Sequence, residues 1–293
     1  MRRSFSWMRS SVRLRAACGR LKSSLPGILR SRSLWATHFQ SLNDPSEMRY
    51  GIDQATSRIR ALADEGPEEK CRFLRPVGQL LDGSTVVVAT PYVVSFSDDG
   101  KLRSQWEKYG DGGVGFSIAF DLRQSSTLFG EGTSVLNIAY DPTVQPDILS
   151  ATIEEHWNVL LRWEPLCGQQ RFARPSTTEE ESLEGHCRTQ LIFLLLLLTE
   201  CVAFKNPDPF REEQEWRLVR LSLGSSPLKF RAGRFGIVPY VELIPPSGQR
   251  LPIKRVIQGP SVSPNQGTGS VEMLLAECGY AGIEVEASAV RMR

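Results

Sequence analysis

Four acidic residues fall within eight in the stretch FKNPDPFREEQEWRLVRL, positions Phe204 to Leu221. From Glu213 onward the pattern alternates as a strand does. Glu213, Glu215 and Arg217 fall on one side, Trp216 and Leu218 on the other. Two carboxylates next-but-one on a strand stand about 7 Å apart, here with a guanidinium beside them. A carboxylate near a second one has its ionisation coupled to that neighbour and can act as a base or stabilise a developing cation. The non-catalytic alternative is a solvated, ion-paired strand face. A third reading puts Glu213 and Glu215 on a metal in a hydrolase or nuclease. No second acidic cluster with convincing ligand spacing accompanies them in the sequence, so the expected metal set is none.

A second constellation is YVVSFS, Tyr92 to Ser97. As a strand it sets Ser95 and Ser97 on one face and Val94 and Phe96 on the other. Two small hydroxyls on a strand end can hold a ribose or an amide. The serine-nucleophile signature GxSxG does not surround them, and Ser97 or Asp98 could instead cap the short helix that follows. Trp106 and Tyr109 on that helix, and His38 beside Trp35, read as packing residues. Lys205 reads as a phosphate contact or as a charge at a helix C-terminus.

Composition bounds these readings. The chain has 293 residues, 41% hydrophobic and 23% charged, ample for a core of ordinary globular kind. Residues 1–43 carry nine Arg or Lys and no acid, which leaves a net charge of −7 on the remainder. That balance argues against general nucleic-acid binding. The six cysteines lie far apart without a CxxC pair, and only three histidines are present, which disfavours a zinc site or a disulfide framework. The longest apolar run, Leu191 to Leu198, is far short of the roughly 20 residues that cross a bilayer. A cytoplasmic protein with no membrane partner is the expectation.

The elements that must position these residues follow from periodicity and punctuation. Residues 1–24, rich in Arg and Ser, are expected to be poorly ordered or a start-site artefact. Residues 25–293 are expected to form a single α+β domain, with helices packed on a mixed or largely antiparallel sheet. Leu34 to Phe39 reads as a strand, and Asp44-Pro45 as the cap and first turn of a helix lined by Met48, Ile52, Ile59 and Leu62. Gly66-Pro67 ends it. Thr85 to Ala89 and Tyr92 to Ser97 read as strands broken at Pro91. The glycines at 110, 112, 113 and 115 suggest a phosphate loop but lead into a strand, GFSIAFD, so a turn is expected. Further strands are expected at Val135 to Tyr140, Ile237 to Leu243, Ile253 to Ile257 and Ile283 to Ala287. Helices are expected around Ile148 to Leu161, from about Thr178 to Ala203, and near Val271 to Cys278. The apolar run should make Gln190 to Ala203 the most buried helix of a single core.

As a set, LWATHFQSLNDPSE, SFSDDGKLRSQWEKYGDGGVGFSIAFD, FKNPDPFREEQEWRLV and VIQGP resemble a bacterial family catalogued as domain of unknown function 2971, over nearly the whole chain from Leu25 onward. The family name conveys no function. Its members usually begin with a strand reading Tyr-His-Tyr-Thr; here Ala17-Cys18-Gly19-Arg20 stands in its place. A Ser-x-Ser strand followed much later by a Glu-x-Glu strand is also similar to the layout of ADP-ribosyltransferases. That likeness implies that Ser95 and Ser97 brace NAD, with Arg217 beside them. It makes Glu215 the stabiliser of an oxocarbenium ion and gives Glu213 the acceptor. The Arg or His that such enzymes carry on the first strand would be the missing residue. The competing expectation is a non-catalytic module of a defence or toxin system, whose acidic strand engages a protein or nucleotide ligand. Glu215→Gln is expected to remove charge without changing shape and so to spare the fold.

Overall fold

The computed structural model describes residues 13–18, 24–42, 46–82, 90–123, 128–130, 132–163, 179–206, 211–222, 227–233, 236–262 and 267–292. Among these residues ten strands form one sheet: β1 (Arg13–Cys18), β2 (Leu34–His38), β3 (Thr90–Ser97), β4 (Phe116–Asp121), β5 (Thr133–Asn137), β6 (Glu215–Ser222), β7 (Lys229–Gly233), β8 (Gly236–Leu243), β9 (Ile253–Gln258) and β10 (Glu284–Ala287). The main path runs β10-β9-β4-β1-β3-β2-β8-β7, with β6 on the other edge of β3 and β5 beyond it. The described strand pairs are antiparallel except β9–β10. The α+β expectation therefore holds.

Among the described residues, seven α-helices pack on this sheet: α1 (Ser24–Ser31), α2 (Ser46–Asp64), α3 (Glu68–Asp82), α4 (Arg103–Tyr109), α5 (Gln145–Trp163), α6 (Glu179–Cys201) and α7 (Gly269–Glu277). Because β3 and β6 each bury apolar residues on both faces, the sheet divides the core in two. One cluster joins Val93, Leu136, Ile138 and Val219 of the sheet side to residues of α2, α3, α5 and α6. The other joins Phe96, Ile118, Leu218 and Val256 to Leu25 and Leu29 of α1 and to Val271 and Leu275 of α7. The single core expected from the sequence is thus two layers, and adjacent residues Leu218 and Val219 of one strand serve both.

Several expectations need correction. Residues 13–18, placed outside the fold by composition, form β1 in the middle of the sheet, between β4 and β3. An Arg-rich strand can sit there because backbone pairing on both edges does not depend on side-chain polarity. Helix α3 has no counterpart among the elements read from sequence. Pro76 lies inside it and interrupts the periodic signal, yet Phe73, Leu74, Val77 and Leu81 are all buried on its inner face. Helix α6 buries Phe193, Leu194, Leu197 and Leu198 but leaves Ile192 43% exposed. An apolar helix at the rim of a layer has one side left over. Pro91 does not break β3, which starts at Thr90 and pairs Pro91 with Leu221. The reading of Asp44-Pro45 as a helix start, and that of Thr85 to Ala89 as a strand, lie outside the described residues.

Helices α2 and α6 meet where a side chain would not fit. A Cβ on Gly51 would stand 2.0 Å from the Cys201 carbonyl oxygen. Gly51→Ala is therefore expected to push α2 away from the end of α6 and to cost about 2 kcal/mol, as overpacking of a core does. Denaturant titration checks this; an unchanged midpoint would mean that the two helices separate freely. The glycine turn after α4 is held in a similar way. Gly259 donates its N–H to the Gly115 carbonyl at 2.9 Å, and the Ser261 hydroxyl donates to the Gly112 carbonyl at 2.8 Å. That turn leads into β4, as expected for a structural turn.

Candidate functional site at the junction of β1, β3 and β6

Strand β3 is paired by β6 along one edge, and its other edge is shared by β2 at Tyr92 and Val93 and by β1 at Ser97. Residues directly opposite on neighbouring strands share a face. Ser97 lies opposite Glu215 on β6 and opposite Arg15 on β1, and Ser95 lies opposite Arg217. A row of Arg15, Ser97 and Glu215 thus crosses three adjacent strands. The alternation read from the sequence holds for β6: Trp216 and Leu218 pack with one cluster, while Glu215 and Arg217 stand on the side of Val219 in the other.

Solvation is where the sequence reading fails. Glu215 and Arg217 do not face water; Arg217 is 2% exposed and Glu215 5%. The Arg217 guanidinium grips Glu215 with two bonds, Nε to Oε1 at 2.8 Å and a terminal nitrogen to Oε2 at 3.1 Å. Another terminal nitrogen donates to the Val202 carbonyl at 2.7 Å, just past the end of α6, where helix carbonyls lack partners in their own helix. Lys205 Nζ lies 2.5 Å from Glu215 Oε2 and 3.4 Å from Glu213 Oε2. Lys205 is itself 3% exposed, so it is neither a surface helix charge nor an open phosphate contact. Two carboxylates and two cations make a buried quartet without net charge.

Glu213 enters this quartet by a route that plain alternation does not describe. It belongs to a 3-10 turn, Arg211–Glu213, and β6 starts only at Glu215. Between them Gln214 has φ +40°, left-handed backbone that is unusual for a residue with a side chain. This reversal turns the Glu213 carboxylate back toward Lys205. The turn is tied down by Gln214, whose carbonyl accepts from the Asp98 N–H at 3.1 Å, and by Glu213, whose carbonyl accepts from the Ser97 hydroxyl at 2.9 Å. Ser97 is therefore not a helix cap. The N-cap of α4 is Leu102, without a side-chain cap bond.

The electrostatics follow from burial and pairing. Burial alone would raise the Glu215 carboxyl, but Arg217 and then Lys205 outweigh it and hold the group down at about 2. The Tyr140 hydroxyl accepts from the Glu215 N–H at 3.0 Å, and burial pushes that phenol up to about 12. Outside the quartet, half-exposed Lys108 of α4 reaches Glu213 Oε1 at 3.2 Å. Ser95 is exposed although Arg217 opposite it is closed in, so the sheet face opens to solvent there. Ser95, Ser97, Glu213, Glu215 and Arg217 are thus neighbours, but of the five only Ser95 is exposed to solvent.

Three residues were missed. Lys108 and Tyr140 carry no local signal, since both arrive from elements distant in sequence. Arg15 lay in a segment set aside for its composition, although the alternation in RLRAAC was a strand signal. His38 is structural, as expected: its ring stacks on Phe39 at 5.0 Å, and its Nδ1 accepts from the Gln40 N–H. The described residues contain no group of three His, Cys, Asp or Glu able to hold a metal, and none of their helices is long and apolar enough to cross a membrane. A divalent ion on Glu213 and Glu215 would have to displace Lys205 and Arg217, which weighs against the metal reading. Comparison of the chain with protein-family models, curated proteins and solved structures returned no match.

Proposed function

We propose that the chain uses NAD in the manner of an ADP-ribosyltransferase, at the row formed by Arg15, Ser97 and Glu215. The observation that supports this reading is the register: Arg15 of the first strand lies directly across from Ser97 and one strand from Glu215, where the first-strand cation would be needed. Arg15 would hold the NAD, and Ser95 at the open face would meet the nicotinamide ribose. The bond that breaks joins the ribose C1′ to the nicotinamide nitrogen, and neutral nicotinamide leaves with the electron pair. Glu215, held ionised, would offset the positive charge that develops on the ribose. An acceptor then attacks C1′ and gives its proton to Glu213. Lys205 must yield part of its hold on Glu215 for this to occur.

A second reading is favoured by that same hold. Both Glu215 oxygens are already taken by cations, which suits a module that binds a nucleotide without turning it over. Incubation with NAD carrying labelled nicotinamide separates the two. On the transferase reading, label is released and Arg15→Lys loses release at least tenfold, because lysine keeps the charge but not the guanidinium fork. Binding by calorimetry without release selects the module. Neither binding nor release sinks both.

A further inference from the structure

We propose that copies of this chain associate edge to edge, β7 of one against β10 of the next. Among the described strands, these two close the ends of the main sheet path, each paired along one side only. A free strand edge is a template for another strand. On β7, Lys229 and Arg231 share one face, and Phe230 and Ala232 share the other. On β10, Glu284 and Glu286 share one face, and Val285 and Ala287 the other. The chain thus carries a basic-apolar edge and an acidic-apolar edge.

The faces match when the sheet is continued from copy to copy. Lys229 pairs with Tyr240, Tyr240 with Thr37, and Thr37 with Val93, which puts the β7 cations on the side of α2 and α6. Glu284 pairs with Arg255, Arg255 with Ala119, Ala119 with Arg15, and Arg15 with Ser97, which is on the same side. The apolar residues of both edges then fall together on the opposite face, where β7 leaves Phe230 61% exposed and its neighbour on β8, Ile237, 70%. Following the pairings along the path, β7 and β10 run in the same direction, so the new ladder is parallel. Two like edges fit badly. A β7–β7 pair sets cations against cations, and a β10–β10 pair sets acids against acids.

The charges on the two edges differ in how far they are already engaged. Lys229 pairs with Glu242 at 2.7 Å, and Glu284 and Glu286 with Arg255 at 2.8 and 3.4 Å; Lys101 also reaches Glu286 at 3.5 Å. Among the described residues Arg231 has no carboxylate partner; one of its nitrogens donates to the Thr37 hydroxyl at 3.1 Å, and its buried Nε finds no partner there. A ladder of five residues against four is small, so association should be weak and concentration-dependent. Because the two edges differ, the contact is heterologous and builds chains or a ring rather than closed dimers.

Sedimentation velocity of the full chain, from micromolar to millimolar, tests this. The wild type should gain mass with concentration, while Arg231→Glu and Glu284→Lys should each remain monomeric. A mixture of the two variants should associate again, because each keeps one native edge and the two reversed edges complement each other. A wild type that stays monomeric, variants that associate as the parent does, or a mixture that stays monomeric would each overturn the proposal. If either variant melts well below the parent, Lys229→Glu and Glu286→Lys serve the same mixing test.

Discussion

Glu215→Gln should lower the stability of this protein by about 3–5 kcal/mol, because it leaves Arg217 and Lys205 buried with too little negative charge. For a chain of this size that is a fall in melting temperature of roughly ten degrees. This reverses the expectation from sequence that an isosteric change would spare the fold. Arg217→Met added to Glu215→Gln should recover much of the loss, since Lys205 and Glu213 then remain as a balanced pair. A double-mutant cycle on thermal melts measures the coupling. A single mutant that melts with the wild type would show that the quartet contributes no stability. The same group sets an acid limit. Glu215 is ordinary at about 4.5 when unfolded and about 2 when folded, so its contribution is present above pH 4.5 and is lost as pH falls toward 2. It amounts to about 3 kcal/mol, and Glu215→Gln should flatten that part of the stability profile. For the NAD experiment, Arg15→Lys is therefore the better variant than Glu215→Gln.

The second large effect is expected outside the quartet, at Phe73. Its ring is fully buried, 5.0 Å from Trp157 of α5 and 5.3 Å from Phe193 of α6. Phe73→Ala removes the ring on which three helices converge and should cost about 3–5 kcal/mol, most of it for a cavity that rigid neighbours cannot fill. Chemical denaturation should show a lower midpoint with little change in slope. A loss under about 1 kcal/mol would mean that the three helices close around the gap. Because Val202 follows α6 and its carbonyl holds Arg217, loosening of this layer should also reach the quartet.

Much of the architecture was legible one element at a time. Alternation in EWRLV separated Trp216 and Leu218 from Glu215 and Arg217, and the structure keeps that separation. Gly110 ends α4, and the glycines after it form a turn that feeds a strand, as read. The helices at 145–163 and 179–201 were expected within a few residues of where they lie. Each of these rests on local geometry: a period of two or 3.6 residues, or a residue type that only certain backbone angles admit.

What the sequence could not determine is which side of a strand would be dry. Alternation says that Glu215 and Arg217 share a face; it cannot say that α6 covers that face and turns a solvated pair into a buried quartet. The same limit hid Arg15, because membership in a central strand depends on pairing with Phe116–Asp121 and Ser97, residues far away in the chain. Gln214 is the local counterpart: its left-handed turn is needed only because Glu213 must reach Lys205. Side-chain chemistry and periodicity are properties of the sequence, whereas burial, charge balance and the row across β1, β3 and β6 arise only when distant segments meet. Burial can reverse the meaning of a charge, since removing water raises the cost of every unpaired ion and strengthens every pair.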